Sequence, residues 1–159
     1  MRRDPGNMRG GQMRRHRGLA TVEFVVTAPF VLFLLLAGAE IGRAFIQYST
    51  LSYGVRVAAR FVSTHSINGT TGVVELTDTT ITEAQNLAVY GHTAGTGDPR
   101  LPSLQPTHVG VADVGDSNIR VTATYPYQPM LGAVLPGLVG NSINLGFTMA
   151  IAVTMRSIS

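Results

Sequence analysis

A single apolar run near the start of the chain constrains its fold more than any other feature. The run extends from Leu19 to Ala39, and Glu23 is its only charged side chain. As a helix, at 1.5 Å per residue, it would be about 31 Å long, close to the thickness of the hydrocarbon core of a bilayer. We therefore predict one membrane-spanning segment over residues 19–40.

The arginines predict the orientation of that segment. Six of the twelve basic residues precede it: Arg2, Arg3, Arg9, Arg14, Arg15 and Arg17. Arginines beside a spanning helix stay on the cytoplasmic side, so we expect residues 41–159 to lie outside the inner membrane. From Leu19 onward the chain has six Arg against eight acidic residues, and no aromatic residues interleave the arginines before it, so a nucleic-acid partner is not expected.

The periodicity of the sequence predicts a long helix. Residues 1–18, MRRDPGNMRGGQMRRHRG, are polar and aperiodic, which is typical of a disordered leader. Beyond the apolar run, apolar residues recur at three- and four-residue steps: Ile41, Ala44, Phe45, Tyr48, Leu51, Val55, Ala58, Ala59 and Val62. One helix is therefore expected from about Leu19 to about Ser63, with lipid around its first half and a globular layer packed on its second half.

The rest of the chain predicts a short helix followed by a small sheet. In TITEAQNLAVYG, Thr80 is the expected cap, Glu83 its capping-box partner and Gly91 the stop. The segments THVGVADV, NIRVTATYPYQP and SINLGFTMAIAVTMRS alternate apolar and polar residues, which predicts antiparallel strands, the first two joined through GDSN. The fold class is therefore α+β, with the long helix packed on the apolar face of the sheet.

An apolar loop separates the last two predicted strands. The segment PMLGAVLPGLVGN contains Met130, Leu131, Val134, Leu135, Leu138 and Val139. Two interpretations are open. The loop either folds over the sheet edge and completes the core, or forms an exposed patch for a neighbouring subunit or the membrane surface.

No group of residues in the sequence indicates catalysis. His16, His65, His92 and His108 are isolated, and none belongs to a spaced set of metal ligands. The chain has no cysteine, no nucleophile elbow and no phosphate-binding loop. We predict a protein that is not an enzyme, with no metal, no cofactor and no small-molecule substrate.

Glu23 is the most informative side chain of the apolar run, because an ionisable group in a spanning helix is costly. It lies about one turn from the polar edge, so it could simply extend its carboxylate to the headgroups. A functional interpretation uses Gly18 as well, because a glycine gives a peptidase an unobstructed bond. Cleavage between Gly18 and Leu19 would create an amine on Leu19, which could neutralise Glu23 of a neighbouring helix and fix the stagger of the two.

These residues resemble a known family. RG followed by LATVEF, a proline and an apolar run is similar to the prepilin signal of type IV pilins and pseudopilins, and the segment VEFVVTAPFVLFLLLAGAEIGRAF through LSYGVRVAARFVS resembles the TadE-like pseudopilins of tight-adherence (Flp) pili. The resemblance implies a pilin-like fold, cleavage by a prepilin peptidase between Gly18 and Leu19, and a minor role in pilus assembly and adhesion. The expected partners are other pilins, bound through the N-terminal helix with Glu23 as the acidic residue. In pilin-like proteins a proline such as Pro29 lets the helix adapt on leaving the membrane.

Two other interpretations of the N-terminal segment remain open. Ala37 and Ala39 resemble a signal-peptidase site, which would release a secreted protein starting at Glu40. Alternatively the chain keeps its leader as a single-pass membrane protein of another envelope assembly. Within the pseudopilins, a component of type II secretion is also compatible with the signal, although the arginine motifs favour the tight-adherence family.

Overall fold

The computed structural model describes residues 15–67, 74–130, 132, 134–135, 143–144 and 146–157. The chain divides into two compact units, Met1–Ile41 and Gly42–Ser159. One continuous helix, α1 (Arg15–His65), runs from the first unit into the second. It begins four residues before the predicted start and ends two residues after the predicted end. The predicted leader is thus helical from Arg15 on, and residues 1–14 lie outside the described part of the chain.

In the first unit, the described side chains of α1 are almost all exposed. They include large apolar residues such as Phe24, Leu34 and Leu35, each more than 60 % exposed. A helix that is apolar on every side and buries none of them against protein is typical of a lipid-facing segment. Among the described residues, the part of α1 from Ala20 on is long and apolar enough to cross a membrane once.

In the second unit, α1 packs against a short helix, α2 (Asp78–Val89). The predicted cap is wrong: Thr77, not Thr80, caps α2, and its hydroxyl accepts a hydrogen bond from the Thr80 amide at 3.2 Å. The predicted stop is confirmed, because Gly91 adopts φ +91° and its amide donates to the Leu87 carbonyl. A Cβ atom on Gly54 of α1 would lie 2.7 Å from the Ala88 carbonyl oxygen, so the absence of a side chain lets the two helices touch.

The sheet has three antiparallel strands in the order β1-β2-β5. After a 3-10 turn (Pro106–His108), β1 (Val109–Gly115) and β2 (Asn118–Pro126) form a hairpin, and β5 (Thr148–Arg156) pairs with β2 on its other side. The predicted GDSN turn is confirmed, with Gly115 and Asp116 at positive φ. The last strand is shorter than predicted, because Ile143–Asn144 (β4) pairs instead with Val134–Leu135 (β3) in a separate small hairpin.

One hydrophobic core lies between α1 and the sheet. Along β2, inward-facing residues at every second position are at most 1 % exposed, as a period of two requires. The α1 side chains that meet them are Leu51, Val55, Ala58, Ala59 and Val62. The sheet side contributes Val109, Ile119, Val121, Ala123, Tyr125 and Met149. This arrangement confirms the predicted α+β fold, with the striped half of α1 covering the sheet.

Hydrogen bonds place the start of β2 near the C-terminal end of α1. At one end, the Ser157 hydroxyl donates to the Ser63 carbonyl at 3.2 Å and lies 2.9 Å from the Ser66 hydroxyl. The Ser157 amide also donates to the Ser117 carbonyl, just before β2 begins. The first residue of β2 therefore lies beside the C-terminal end of α1.

Candidate assembly site on the N-terminal helix

The predicted cleavage bond lies in the first turn of α1. Gly18 and Leu19 are the fourth and fifth residues of a helix that starts at Arg15. A peptidase binds its substrate strand in an extended form, so cleavage at this bond would require the first turn to open. An opening at a helix end breaks few hydrogen bonds, and glycine lowers the cost further because it disfavours the helix by about 1 kcal/mol relative to alanine.

Glu23 lies one turn beyond Leu19 and is exposed. Residues four apart on a helix are neighbours on one face, so the Cα atoms of Leu19 and Glu23 are about 6 Å apart along the axis. An amine created at Leu19 would therefore be within reach of Glu23 of its own chain as well as that of a neighbour. The geometry permits both pairings, and only the pairing between chains would set the stagger of two helices.

Pro29 lies inside α1 without ending it. The proline has no amide hydrogen, so the Val25 carbonyl loses its donor in the helix. The Thr27 hydroxyl donates to the Glu23 carbonyl at 2.8 Å and to the Phe24 carbonyl at 3.3 Å. Between Glu23 and Pro29 the helix backbone therefore lacks one hydrogen bond, and two of its carbonyl groups accept an additional hydrogen bond from the Thr27 hydroxyl. Both features favour bending of the helix.

The sequence interpretation missed a buried polar residue, Gln47, two residues after Phe45 on α1. Its side chain is only 6 % exposed, and its Oε1 atom has no hydrogen-bond partner. A buried unpaired acceptor costs free energy because it has lost its water. No sequence signal marks this burial, since glutamine is common on exposed helix faces.

Replacing Gln47 by methionine should stabilise the second unit. Methionine has nearly the same shape and no polar atom, so Gln47→Met should raise the free energy of unfolding by about 1 kcal/mol. Thermal unfolding of the full chain in detergent micelles, followed by the near-UV circular dichroism of the tyrosines, measures the change. Gln47→Glu is the matched control and should destabilise the unit by placing a charge at the same position. A lower stability of Gln47→Met would contradict the assignment of Oε1 as unpaired.

The outward face of α1 in the second unit is aromatic and hydroxyl-rich. Phe45, Tyr48 and Tyr53 are 72 %, 46 % and 59 % exposed. Together with Ser49, Ser52 and Arg56 they line a shallow depression of about 320 Å³. At the edge of this face, the Arg100 guanidinium lies 5.4 Å from the centre of the Tyr53 ring, within the distance of a cation–π interaction. Such a face suits contact with another helix better than it suits a small ligand, because it is open and has no enclosing walls.

Within the described residues, no cluster of three or more His, Asp or Glu side chains could hold a metal ion. The prediction that the chain uses no cofactor and no small-molecule substrate stays a prediction. The arrangement on α1 instead combines a segment long and apolar enough to span a membrane, an acidic side chain near its start and an exposed face beyond it.

Comparison with known proteins shows that part of this helix is similar to one family. The model of the TadE-like protein family matches residues 18–60, a range that begins at Gly18 and lies entirely within α1. No curated protein and no solved structure matches the chain. A TadE-like segment indicates a protein associated with tight-adherence pili, and the family is not one of enzymes. The N-terminal helix of this chain, over residues 18–60, is therefore TadE-like, as its sequence predicts.

Proposed function

We propose that the chain is a minor pseudopilin of a tight-adherence pilus, processed between Gly18 and Leu19. The observation that carries the proposal is the match over residues 18–60, because it starts at the residue before the proposed cut and covers the whole apolar run. In this proposal a prepilin peptidase removes the arginine-rich leader at the cytoplasmic face. The mature chain keeps residues 19–40 in the inner membrane and its second unit outside.

Assembly then proceeds through α1. The chain leaves the membrane with its apolar helix packed among the helices of other pilins, where Glu23 pairs with the amine of a neighbouring chain. A charge in an apolar bundle is tolerated when it is paired, so this pair selects one stagger of the helices. The exposed face of α1 beyond Gly42 continues the contact outside the bilayer, in the inner-membrane assembly or in the extracellular filament, and supports adhesion indirectly.

The continuity of α1 favours this proposal over a secreted protein. A signal-peptidase cut before Glu40 would divide α1 near its middle, with helix on both sides of the bond. Signal peptidases cut extended segments after a short apolar region, whereas here the helix continues to His65.

The mature N-terminus tests the proposal directly. Mass spectrometry of the chain purified from membranes of a producing cell should show a start at Leu19. The variant Gly18→Phe should keep its leader, because a large side chain obstructs the bond that the peptidase cuts. The control Gly10→Phe, with the same substitution inside the leader, should be processed normally. A mature start at Glu40, or an intact leader in the unsubstituted chain, would refute the proposal.

A further inference from the structure

The depression on the outward face of α1 has positive charge beside its aromatic rings. We call it the arginine groove, and its lining residues are Phe45, Tyr48, Ser49, Ser52, Tyr53 and Arg56, none of which is acidic. The exposed Arg100 adds a second guanidinium next to Tyr53. Its backbone is fixed, because its amide donates to the Val89 carbonyl at 2.8 Å. The side chain passes over Gly91, where a Cβ atom would lie 2.5 Å from Nη2 of Arg100. The groove therefore favours an occupant that is apolar and negatively charged.

A β-bulge exposes an apolar side chain at the end of the sheet. In the hairpin of β1 and β2, Asp113 pairs with Ile119 and Gly115 pairs with Asn118. Val114 is therefore an extra residue without a partner on β2, and its side chain is 42 % exposed. Since β1 is an edge strand, the bulge lies at the periphery of the three-stranded sheet. The valine is thus accessible to another molecule.

Two aspartates lie beside this valine in the chain. Asp113 precedes it and Asp116 follows two residues later, and both are exposed. The Asp113 carboxylate accepts the Gly115 amide at 2.8 Å. Asp116 and Ser117 both have positive φ, as a type I′ turn requires. The hydrogen bond and the turn geometry therefore fix the backbone of residues 113–117, which we call the acidic turn.

The acidic turn is complementary to the arginine groove in charge and polarity. Among the described residues outside α1, the exposed large apolar side chains are Val114, Met130 and Phe147. The chain around Met130 and Phe147 is uncharged, whereas Val114 has an aspartate on either side within two positions. A helix and a turn could both fill a depression of about 320 Å³. Charge favours the turn, because its carboxylates can face the two guanidinium groups while the valine contacts the aromatic rings.

The acidic turn does not reach the arginine groove of its own chain. The Ser157 amide donates to the Ser117 carbonyl at 2.7 Å, and the Ser157 hydroxyl donates to the Ser63 carbonyl at 3.2 Å. The turn therefore lies beside the C-terminal end of α1. From Tyr53 to Ser63 the helix advances about 15 Å, and the groove is on the face of α1 that points away from the core. An acidic turn that fills the groove must come from another chain.

We propose that the acidic turn of one copy of the chain docks in the arginine groove of a second copy. Val114 lies against the tyrosine rings, and the two aspartates face Arg56 and Arg100. The two surfaces are different, so the contact is head-to-tail, and each pair of chains keeps one free turn and one free groove. Repetition of the contact builds an open row of second units.

The contact is expected to be weak. A turn in a shallow groove buries less area than a standard protein interface, so the contact forms only where the local concentration of chains is high. The inference rests neither on cleavage at Gly18 nor on the pilus, because residues of the second unit alone carry it. Uncleaved chains are therefore equally suitable for the test.

Cysteine cross-linking tests the contact, because the chain has no cysteine of its own. Two full-length chains with different tags are reconstituted together in lipid vesicles, one with Val114→Cys in the acidic turn and one with Ser52→Cys in the arginine groove. A disulfide requires Cα atoms within about 7 Å, so mild oxidation should give the mixed product roughly tenfold faster than collision alone. The control mixture replaces Ser52→Cys by Thr82→Cys, at an exposed position on α2, and measures the collision rate.

Neutral variants test the role of charge. Asp113→Asn together with Asp116→Asn keeps the turn, because asparagine accepts the same hydrogen bond and tolerates positive φ. Added to the Val114→Cys chain, these substitutions should slow mixed cross-linking about fivefold, as expected for two exposed ion pairs. Arg56→Gln in the Ser52→Cys chain should slow it about twofold. The combined effect of both changes should be smaller than the product of the separate effects, because the groups interact directly.

Each outcome of these measurements decides the proposal. Mixed cross-linking above the Thr82→Cys control that falls when the aspartates are neutralised supports it. A mixed rate equal to the control would overturn it and would leave the groove to a different partner. Equally fast products from Val114→Cys chains alone or from Ser52→Cys chains alone would overturn the head-to-tail arrangement. Mixed cross-linking that ignored the neutral variants, with unchanged circular dichroism, would overturn the pairing of aspartates with arginines.

Discussion

Substituting Glu23 by alanine should abolish surface fibres while leaving cleavage at Gly18 intact. Removing one partner of a buried ion pair leaves the other charge uncompensated, at a cost of about 3 to 5 kcal/mol. At about 1.4 kcal/mol per tenfold change, this corresponds to at least a hundredfold weaker packing of each processed chain. Electron microscopy of fibres, together with the mass of the mature chain, measures both effects in a strain that carries Glu23→Ala as its copy of the gene.

Two control variants separate charge from packing. Glu23→Gln keeps the size of the side chain and should fail like alanine if the charge is what matters. Thr27→Ala removes a polar group one turn further along the same run and should leave the fibres normal, because its hydroxyl bonds only the backbone of its own helix. Normal fibres from a correctly processed Glu23→Ala chain would eliminate the register role. They would leave Glu23 as a carboxylate that reaches the headgroups.

The result also distinguishes the two pairings that the helix geometry permits. If the Leu19 amine bonded only Glu23 of its own chain, loss of the carboxylate would leave an amine at the helix start, where it could reach water and would cost little. A loss of fibres without a loss of membrane insertion therefore requires a partner in another chain. Insertion is measured separately, by the fraction of the chain that alkaline washing leaves in the membrane.

Where one physical pattern dominates, the sequence was sufficient to predict the fold. The three- and four-residue apolar steps from Leu51 to Val62 predicted the buried face of α1, because only that spacing puts the residues on one side of a helix. The alternation along β2 predicted its inward residues for the same reason, with a period of two.

The predictions were wrong where several neighbouring residues could occupy the same structural position equally well. Thr77, Asp78, Thr79 and Thr80 are all good cap residues, so the start of α2 depends on the tertiary packing of its buried residues Ala84 and Ala88. The split of the last predicted strand into β4 and β5 likewise depends on the pairing of β3 with β4. Pairing between distant segments leaves no local signal.

Only the sequence positions of the candidate site were predictable, and the burial or exposure of side chains was not. Gly18, Leu19 and Glu23 follow from spacing in the sequence, and the match over residues 18–60 supports the segment that contains them. The burial of Gln47 and the exposure of Met130 depend on which elements pack around them. Neither follows from hydropathy, since a polar residue is buried in one case and an apolar residue is exposed in the other.

Replacing Tyr125 by alanine should have the largest effect on the stability of the second unit. Its side chain is fully buried at the centre of the core, and its hydroxyl donates to the Pro102 carbonyl at 2.9 Å. Loss of a buried aromatic ring costs about 3 to 5 kcal/mol, partly through the cavity that remains. Thermal unfolding of the full chain in detergent, followed by near-UV circular dichroism, should show a much lower midpoint, and the loop that holds Leu101 and Leu104 should lose its protection from amide exchange.

The variant Tyr125→Phe separates the contribution of the ring to stability from that of the hydroxyl. It keeps the packing and removes one hydrogen bond, so the loss should be only about 1 kcal/mol at neutral pH. Burial raises the pKa of Tyr125, and the positive charge of Arg43 opposes that effect. The Tyr125 phenol therefore stays protonated to a higher pH in the folded chain than in the unfolded chain, where tyrosines titrate at about pH 10.

The contribution of the Tyr125 hydroxyl is thus complete below about pH 10 and is lost as the pH rises through the raised pKa of the folded chain. The stability advantage of the unsubstituted chain over Tyr125→Phe should shrink above that pH. The other four tyrosines are common to both chains, so the comparison isolates this one group. An advantage that stayed constant in alkali would mean that the Tyr125 phenol titrates equally in both states, and that its burial has no electrostatic consequence. Equal losses for Tyr125→Ala and Tyr125→Phe at neutral pH would instead assign the whole effect to the hydrogen bond with Pro102 and none to the ring.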